Sequence, residues 1–326
     1  MHDAHSPEVM IATVTGQSPA EAWPALPALA EWEPTKQTLH RFAQIVGKVR
    51  LAKEPFRNHW WHVPLYVSPT GLTTRPMPTG DGRTFAIDFD LHRHALVVTV
   101  SDRRDATFPL PGLSVADFYR HLMAALADLD IEVQIVAVPF DLTPVTPFAA
   151  DDDHASYDTG AVERWWRALV SVDRVFTTFS GHSTAKTSPV HLFWHSFDLV
   201  VTRFSGRPAP ERAGADPITR EAYSHEVVSF GFWVGDANTP APSFYAYAWP
   251  DPPGIIDHPL APAAARWADA RGSAMALLTY ADLRAEPDPD AALMAFLESA
   301  YLAGATAADW DIAALTPANH PTLPSR

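Results

Sequence analysis

The stretch that decides the fold is NHWWHVPLYVSPTGLTTR at residues 58–75, in which a Ser-Pro-Thr-Gly turn separates two largely apolar runs. This order predicts strand, turn, strand. A second stretch, PVHLFWHSFDLVVTR at residues 189–203, has the same order, with a tight connection at residues 196–198. Thr74-Arg75 and Thr202-Arg203 end the two stretches at corresponding places, so the sequence indicates two related structural units.

An amphipathic helix precedes each stretch. The first predicted helix covers about residues 34–51, with Pro34 in its first turn, and the second covers about 159–179, with Asp158 as its N-cap. The two apolar stripes have the same spacing. Their members are Leu39, Phe42, Val46 and Val49 in the first helix and Val162, Trp165, Leu169 and Val172 in the second.

The elements that follow extend the parallel. Residues 85–91 alternate strictly between apolar and polar side chains, which is typical of a half-buried strand. We predict further strands at 95–100, 225–234, 243–249 and 274–280, and closing helices at 115–129 and 291–302. The predicted fold is therefore α+β and internally duplicated, each half reading helix, antiparallel strands, helix. By element order alone it is TBP-like or helix-grip-like.

This pattern divides the chain into five segments. We expect a flexible leader, a first α+β half, a Pro-rich linker, a second α+β half and a C-terminal tail. Their predicted bounds are 1–21, 22–140, 141–157, 158–312 and 313–326.

Composition excludes several classes of protein. The chain has no cysteine, so neither disulfides nor Cys-ligated metals are expected. The formal net charge is −14 without a basic cluster, which argues against nucleic acid and anionic membranes as partners. No run of eighteen apolar residues and no secretory signal pattern is present, so we expect a cytoplasmic protein. The sequence assigns no cofactor.

Nine short strings, among them Asn58-His-Trp-Trp-His62, lie in order at residues 23–27, 33–36, 45–48, 58–62, 71–75, 188–191, 197–198, 202–206 and 221–226. Together they resemble the uncharacterised bacterial DUF5996 family, over roughly residues 22–312. The resemblance implies a bacterial origin and a single full-length module, and it implies no activity.

The leading functional hypothesis is a pocket that binds a small organic, anionic molecule. Arg75 and Arg203 end largely apolar strands, and a buried guanidinium needs a carboxylate partner or an anionic ligand. The alternative is a structural ion pair with Glu33, Asp198 or Glu226. Aromatic side chains are dense in the strands, either as core or as pocket walls, and those we assign to the ligand are Trp60, Trp194 and Tyr245.

If the pocket is catalytic, acid–base groups would come from His62, His191, His225 and Glu226. A metal-dependent enzyme that uses the same histidines is an alternative, since these three imidazoles with a carboxylate could hold zinc or iron if neighbouring strands bring them together. A third possibility is a non-catalytic protein-interaction module, which would require an exposed apolar patch.

Overall fold

The computed structural model describes residues 22–211, 214–237, 239–270 and 272–318. The predicted leader at 1–21 and the end of the predicted tail at 319–326 lie outside the described residues. Helices α1 to α7 are Leu29–Lys53, Val115–Asp128, Thr159–Ser180, Pro217–Ala222, Tyr280–Ala285, Pro289–Ala307 and Ile312–Leu315. Strands β1 to β12 are Tyr66–Ser68, Gly71–Thr73, Met77–Pro78, Thr84–Asp90, Ala95–Val100, Asp105–Pro109, His191–Phe193, Asp198–Pro208, His225–Trp233, Ser243–Trp249, Arg266–Ala270 and Ser273–Thr279.

The strands form two six-stranded antiparallel sheets, which confirms the predicted α+β class. In the first sheet the order is β1-β2-β4-β5-β6, with β3 also paired to β4. In the second the order is β7-β8-β9-β10-β12-β11. The sheets meet at their first strands, where Leu65 and Leu192 exchange two backbone hydrogen bonds with N–O distances of 2.9 and 2.8 Å.

Helix α1 lies at the centre of the molecule. It was predicted from residue 34 but begins five residues earlier, with Pro34 inside it and the Glu31 carboxylate accepting a hydrogen bond from the Ala28 N–H. Every residue from Thr38 to Arg50 is buried, so this helix has no solvent face over those turns. A helix buried on all sides lies between layers of structure, and α1 contacts both α2 and α3.

Helices α2 and α3 begin where the sequence predicts, and α6 begins two residues before its predicted start. Asp158 accepts a hydrogen bond from the Ala161 N–H at 3.0 Å, and Ser114 accepts one from the Asp117 N–H at 3.1 Å. Helix α6 extends five residues beyond its predicted end. It includes Gly304, where a β-carbon would lie only 2.8 Å from Val228, so the glycine permits close packing on the second sheet.

Residues 58–65 are not the strand that their composition predicts. A short 3₁₀ turn covers Asn58–Trp60, and His59 and Trp60 adopt left-handed backbone angles with φ of 54° and 61°. Contacts with α4 hold this turn: the Glu221 carboxylate accepts from the His59 N–H at 2.9 Å, and the Trp60 indole donates to the Ile218 carbonyl at 3.1 Å. Distant partners thus override a local strand preference.

Helices α3 and α6 cover one face of the second sheet, and Phe179 of α3 packs edge-on against Phe230 with ring centroids 4.9 Å apart. The opposite face carries the candidate site. Within the described parts of the chain, no helix has the length and apolar character needed to cross a membrane.

Candidate functional site

The second sheet separates its side chains into two sets. Successive residues of a strand point to opposite faces, so on β8 Leu199, Val201 and Arg203 face the helices. Val200 and Thr202 face a cavity of about 840 Å³. The far wall of this cavity comes from α1, from the loop at 140–141, from α4, and from His59, Trp60, Trp61 and Val63.

Aromatic rings form much of the cavity wall. Trp194 is held by its indole N–H, which donates to the Val63 carbonyl at 3.0 Å, and its ring rests directly on α1 at Gly47. A β-carbon at Gly47 would lie 2.2 Å from the Trp194 ring, so only glycine permits this approach. The other Trp, Phe and Tyr residues of the wall are Trp60, Trp61, Phe140, Phe193, Phe204, Tyr223, Tyr245 and Tyr247.

Gly231 shapes the floor of the cavity. A β-carbon there would lie 2.2 Å from the ring of Tyr245, so the missing side chain lets this tyrosine lie flat on the neighbouring strand. The Tyr245 hydroxyl donates to Asp198, which also accepts from the Ser196 hydroxyl. Burial, reinforced by the Asp198 carboxylate, holds the pKa of Tyr245 well above its usual value, so the phenol stays protonated.

Two further pairs of hydroxyl groups lie on the same floor. The hydroxyls of Tyr247 and Tyr223 are 2.8 Å apart, and those of Thr202 and Ser229 are 2.9 Å apart on neighbouring strands. Burial raises the pKa of Tyr247 well above its usual value. Hydroxyls both donate and accept, so this floor can bind polar groups of either kind.

The histidines at the cavity are uncharged near neutral pH. Burial lowers the pKa of His191 to about 3, with nearby Arg75 and Arg50 contributing, and the Nδ1 atom of this buried histidine has no hydrogen-bond partner within the described ranges. Burial also lowers the pKa of His195, against the opposing effect of Asp198. Neutral imidazoles offer one donor and one acceptor each.

Two lysines supply positive charge at the cavity. Lys48 of α1 lines it, with its side-chain nitrogen 5.7 Å from the centroid of the Trp194 ring. Lys186 lies at the rim, 5.3 Å from the Trp61 ring and 4.9 Å from that of Phe204, two residues that line the cavity. Neither lysine was identified from the sequence.

The structure brings Trp60, Trp194, Tyr245 and His191 together in the cavity wall, as the pocket hypothesis requires. It does not bring the other predicted residues there. The residues that do not line the cavity are His62, His225, Glu226, Arg75 and Arg203.

Arg203 faces the helices and not the cavity. Its guanidinium lies 3.4 Å from the centroid of the Phe179 ring and 4.5 Å from that of Tyr301, donates to the Phe179 carbonyl, and is 3.7 Å from the Glu298 carboxylate. Burial lowers the pKa of Arg203 to about 10. The predicted structural ion pair is therefore present, but none of the three carboxylates proposed from the sequence is the partner.

Arg75 and Glu226 have surface roles. Arg75 is exposed and lies over the ring of Tyr66, 3.5 Å from its centroid. Glu226 accepts hydrogen bonds from the Ser205 hydroxyl at 2.9 Å and from Arg207 at 2.8 Å.

His62 and His225 each belong to a separate cluster. The Nδ1 atom of His62 accepts from the Arg57 N–H at 3.2 Å, while His225 contacts the Ser224 hydroxyl at 3.1 Å and lies edge-on to His59. Among the described residues, no three His, Asp or Glu side chains are grouped so that they could hold one metal ion. The histidines of the metal hypothesis are therefore not brought together.

Comparisons with known proteins give a family and no activity. No curated protein and no solved structure matches the chain significantly. The model of DUF5996, a family of unknown function, matches residues 23–317, which is nearly the whole chain. The chain therefore belongs to the DUF5996 family of unknown function.

Proposed function

We propose that the protein binds a small organic molecule with an aromatic or apolar body and an anionic group, in the cavity on the second sheet. The observation that carries this proposal is the cavity itself. Its volume of about 840 Å³ lies in the range typical of small-molecule sites, about 300–1,000 Å³. Such sites combine apolar walls with a few polar groups, and this cavity has both.

The walls favour a flat or apolar ligand body. Trp60, Trp61 and Trp194 come from segments that are held by hydrogen bonds or by close packing, so these rings need little ordering when a ligand binds. Rings that are already ordered can stack on a ligand ring with little entropic cost. The hydroxyls of Thr202 and Tyr247 then orient its polar substituents.

The cation at Lys48 favours an anionic group on the ligand. Three carboxylates also line the cavity, those of Asp141, Asp198 and Asp216. Asp198 accepts hydrogen bonds from Tyr245 and Ser196, and Asp216 accepts them from the first turn of α4. The Lys48 side chain has neither a hydrogen bond nor an ion pair within the described parts of the chain. A buried ammonium without a counterion is costly, and an anionic ligand would remove that cost. In this proposal Lys186 at the rim replaces Arg75 and Arg203 as the group that faces the ligand anion, and the anion also offsets the charge of Lys48 inside the cavity.

Of the four residues to which the sequence assigns an acid–base role, His191 lines the cavity. Because burial lowers the pKa of His191 to about 3, its imidazole is neutral and a weak base, so in this proposal it donates or accepts a hydrogen bond to the ligand and does not take up a proton.

The test is a binding measurement with a series of aromatic carboxylates, starting with 4-(hydroxymethyl)benzoate, by calorimetry. Thr202→Trp places a large ring in the cavity and should weaken binding at least about tenfold, or ~1.4 kcal/mol. Thr107→Trp on β6 is the matched control, because Thr107 is exposed and lies outside the cavity. Equal affinity in both variants, or no binding of any aromatic carboxylate to the unaltered protein, would refute the proposal.

We also infer that the two halves arose by internal duplication. Supporting this, each sheet follows a long helix (α1 or α3) and precedes another (α2 or α6). Leu65 and Leu192 each donate a backbone hydrogen bond to the other in an antiparallel bridge, which is the pairing expected of two edge strands related by a two-fold axis. The TBP-like or helix-grip-like comparison stays an interpretation of element order.

A further inference from the structure

The four lysines of the chain differ sharply in their surroundings, and the structure describes all four. The side chains of Lys36, Lys53 and Lys186 each donate hydrogen bonds, whereas the side chain of Lys48 has neither a hydrogen bond nor an ion pair to any described residue. The partners are Glu33 and the Gly235 carbonyl for Lys36, the Thr79 and Glu132 carbonyls for Lys53, and the His59 ring for Lys186.

Lys48 is also enclosed. It is 8% exposed, and it lines the cavity beside Trp194. Burial lowers the pKa of the Lys48 ammonium, because an apolar site disfavours the charged form. A lysine with these properties carries a larger share of neutral amine than a surface lysine, and the neutral amine is the nucleophilic form.

We infer that Lys48 forms an imine with a ligand that carries an aldehyde or ketone group. This inference rests on the proposed function, since it concerns the ligand of the same cavity. The neutral amine nitrogen adds to the carbonyl carbon to give a carbinolamine. The carbonyl oxygen then leaves with both amine hydrogens as one molecule of water, and a carbon–nitrogen double bond remains. The step is reversible and needs no oxidant, reductant or cofactor.

Lys186 indicates a second functional group on the ligand. This side chain is exposed at the rim, where its nitrogen donates to the Nε2 atom of His59 at 2.6 Å. Burial and the Lys186 charge lower the pKa of His59, so this ring is a neutral acceptor and leaves the lysine positive. The ligand class that fits both lysines is a carbonyl compound with a separate carboxylate, the carbonyl at Lys48 and the carboxylate towards Lys186.

The experiment uses 4-carboxybenzaldehyde, the aldehyde counterpart of 4-(hydroxymethyl)benzoate. The full chain is incubated with the aldehyde and sodium cyanoborohydride, which reduces an imine to a stable secondary amine. Peptide mass mapping then gives the modified fraction of each lysine. We expect Lys48 to be modified at least about tenfold more than Lys36, Lys53 or Lys186, because binding in the cavity raises the effective concentration of the aldehyde at this amine. Burial lowers the pKa of Lys186 as well, so the difference from that lysine comes from the position of the amine and not from its pKa.

Two variants serve as controls, each checked for folding by circular dichroism. Lys48→Arg should abolish the adduct. Lys53→Arg should retain it, because Lys53 lies outside the cavity. The mapping on the unaltered protein does not depend on either variant. Modification of Lys36, Lys53 and Lys186 to the same extent as Lys48 would overturn the inference.

Measuring ligand binding in parallel with the cyanoborohydride experiment distinguishes the proposed binding function from the proposed imine. If both compounds bind and Thr202→Trp weakens both, but no adduct forms at Lys48, the imine is refuted and the binding function stands. If neither compound binds, both proposals fail for this ligand class.

Discussion

Gly47→Ala is the substitution that tests the packing between α1 and the cavity wall. Alanine normally stabilises a helix relative to glycine by about 1 kcal/mol. At this position, however, the new β-carbon would lie 2.2 Å from Cδ1 and 2.3 Å from Cγ of Trp194. The indole would therefore have to move by more than about 1 Å to reach an ordinary carbon–carbon distance.

The structure allows little such movement. Trp194 is only 6% exposed, and its indole N–H donates to the Val63 carbonyl at 3.0 Å. Overpacking costs about 1–3 kcal/mol and a lost hydrogen bond about 0.5–1.5 kcal/mol. After subtracting the helix gain, we expect Gly47→Ala to lower the free energy of unfolding by about 0.5–3.5 kcal/mol.

The assay is urea denaturation followed by circular dichroism, with Gly160→Ala as the matched control. Gly160 lies in the first turn of α3, where a β-carbon would lie 3.4 Å from its nearest neighbour, the Asp158 carboxylate. The control should be neutral or stabilised by up to about 1 kcal/mol. If Gly47→Ala is as stable as the control, Trp194 does not pack on α1 as described and the reasoning is refuted. We also expect Gly47→Ala to weaken ligand binding, since the displaced ring lines the cavity.

Two further predictions concern buried ionisable groups. Arg203→Met should lower the free energy of unfolding by about 1–3 kcal/mol, because the Phe179 carbonyl loses its donor and the Phe179 and Tyr301 rings lose the guanidinium stacked on them, while Glu298 keeps its contact with His182. The ligand affinity of the folded variant, measured by calorimetry, should stay unchanged. Arg207→Met, which removes an exposed ion pair, is the control and should lower the free energy of unfolding by less than about 1 kcal/mol. A loss of ligand affinity in Arg203→Met would mean that Arg203 belongs to the binding site. Burial lowers the pKa of both His40 and His191 to about 3, against about 6.5 in the unfolded chain, so between these values the unfolded state binds more protons. The free energy of unfolding should therefore fall as pH decreases from about 6.5, by up to ~1.4 kcal/mol per pH unit for each histidine. The fall should be less steep in His191→Gln. Urea midpoints that do not change with pH across this window would contradict these assignments.

Features that depend on neighbouring residues could be predicted from the sequence. Asp158 and Ser114 cap the helices assigned to them, because a capping side chain needs only the backbone N–H three residues ahead. The alternation at 85–91 identifies β4 for a similar reason, since strand geometry alone places Phe85, Ile87 and Phe89 on one buried face.

Features that depend on distant residues could not. The turn at 58–60 looks apolar and strand-like, yet its left-handed conformation is held by α4, about 160 residues further along the chain. The partner of Arg203 is Glu298, which no nearby pattern indicates. Lys48 is a charged residue close to the apolar stripe of α1, which is a signal that the sequence offers, but only the folded structure shows that its side chain has no partner among the described residues.

The sequence by itself determined the α+β class, the main helices with their caps, and the aromatic residues that were candidates for a pocket wall. The tertiary structure decided which face of each strand meets the cavity, and so placed Arg203 against the helices and Thr202 in the cavity wall. It also decided which lysine side chain has no partner in the part of the chain that the structure describes. The physical reason is that caps and alternation are set within a few bonds, whereas burial, counterions and pKa values are sums over groups that only folding brings together.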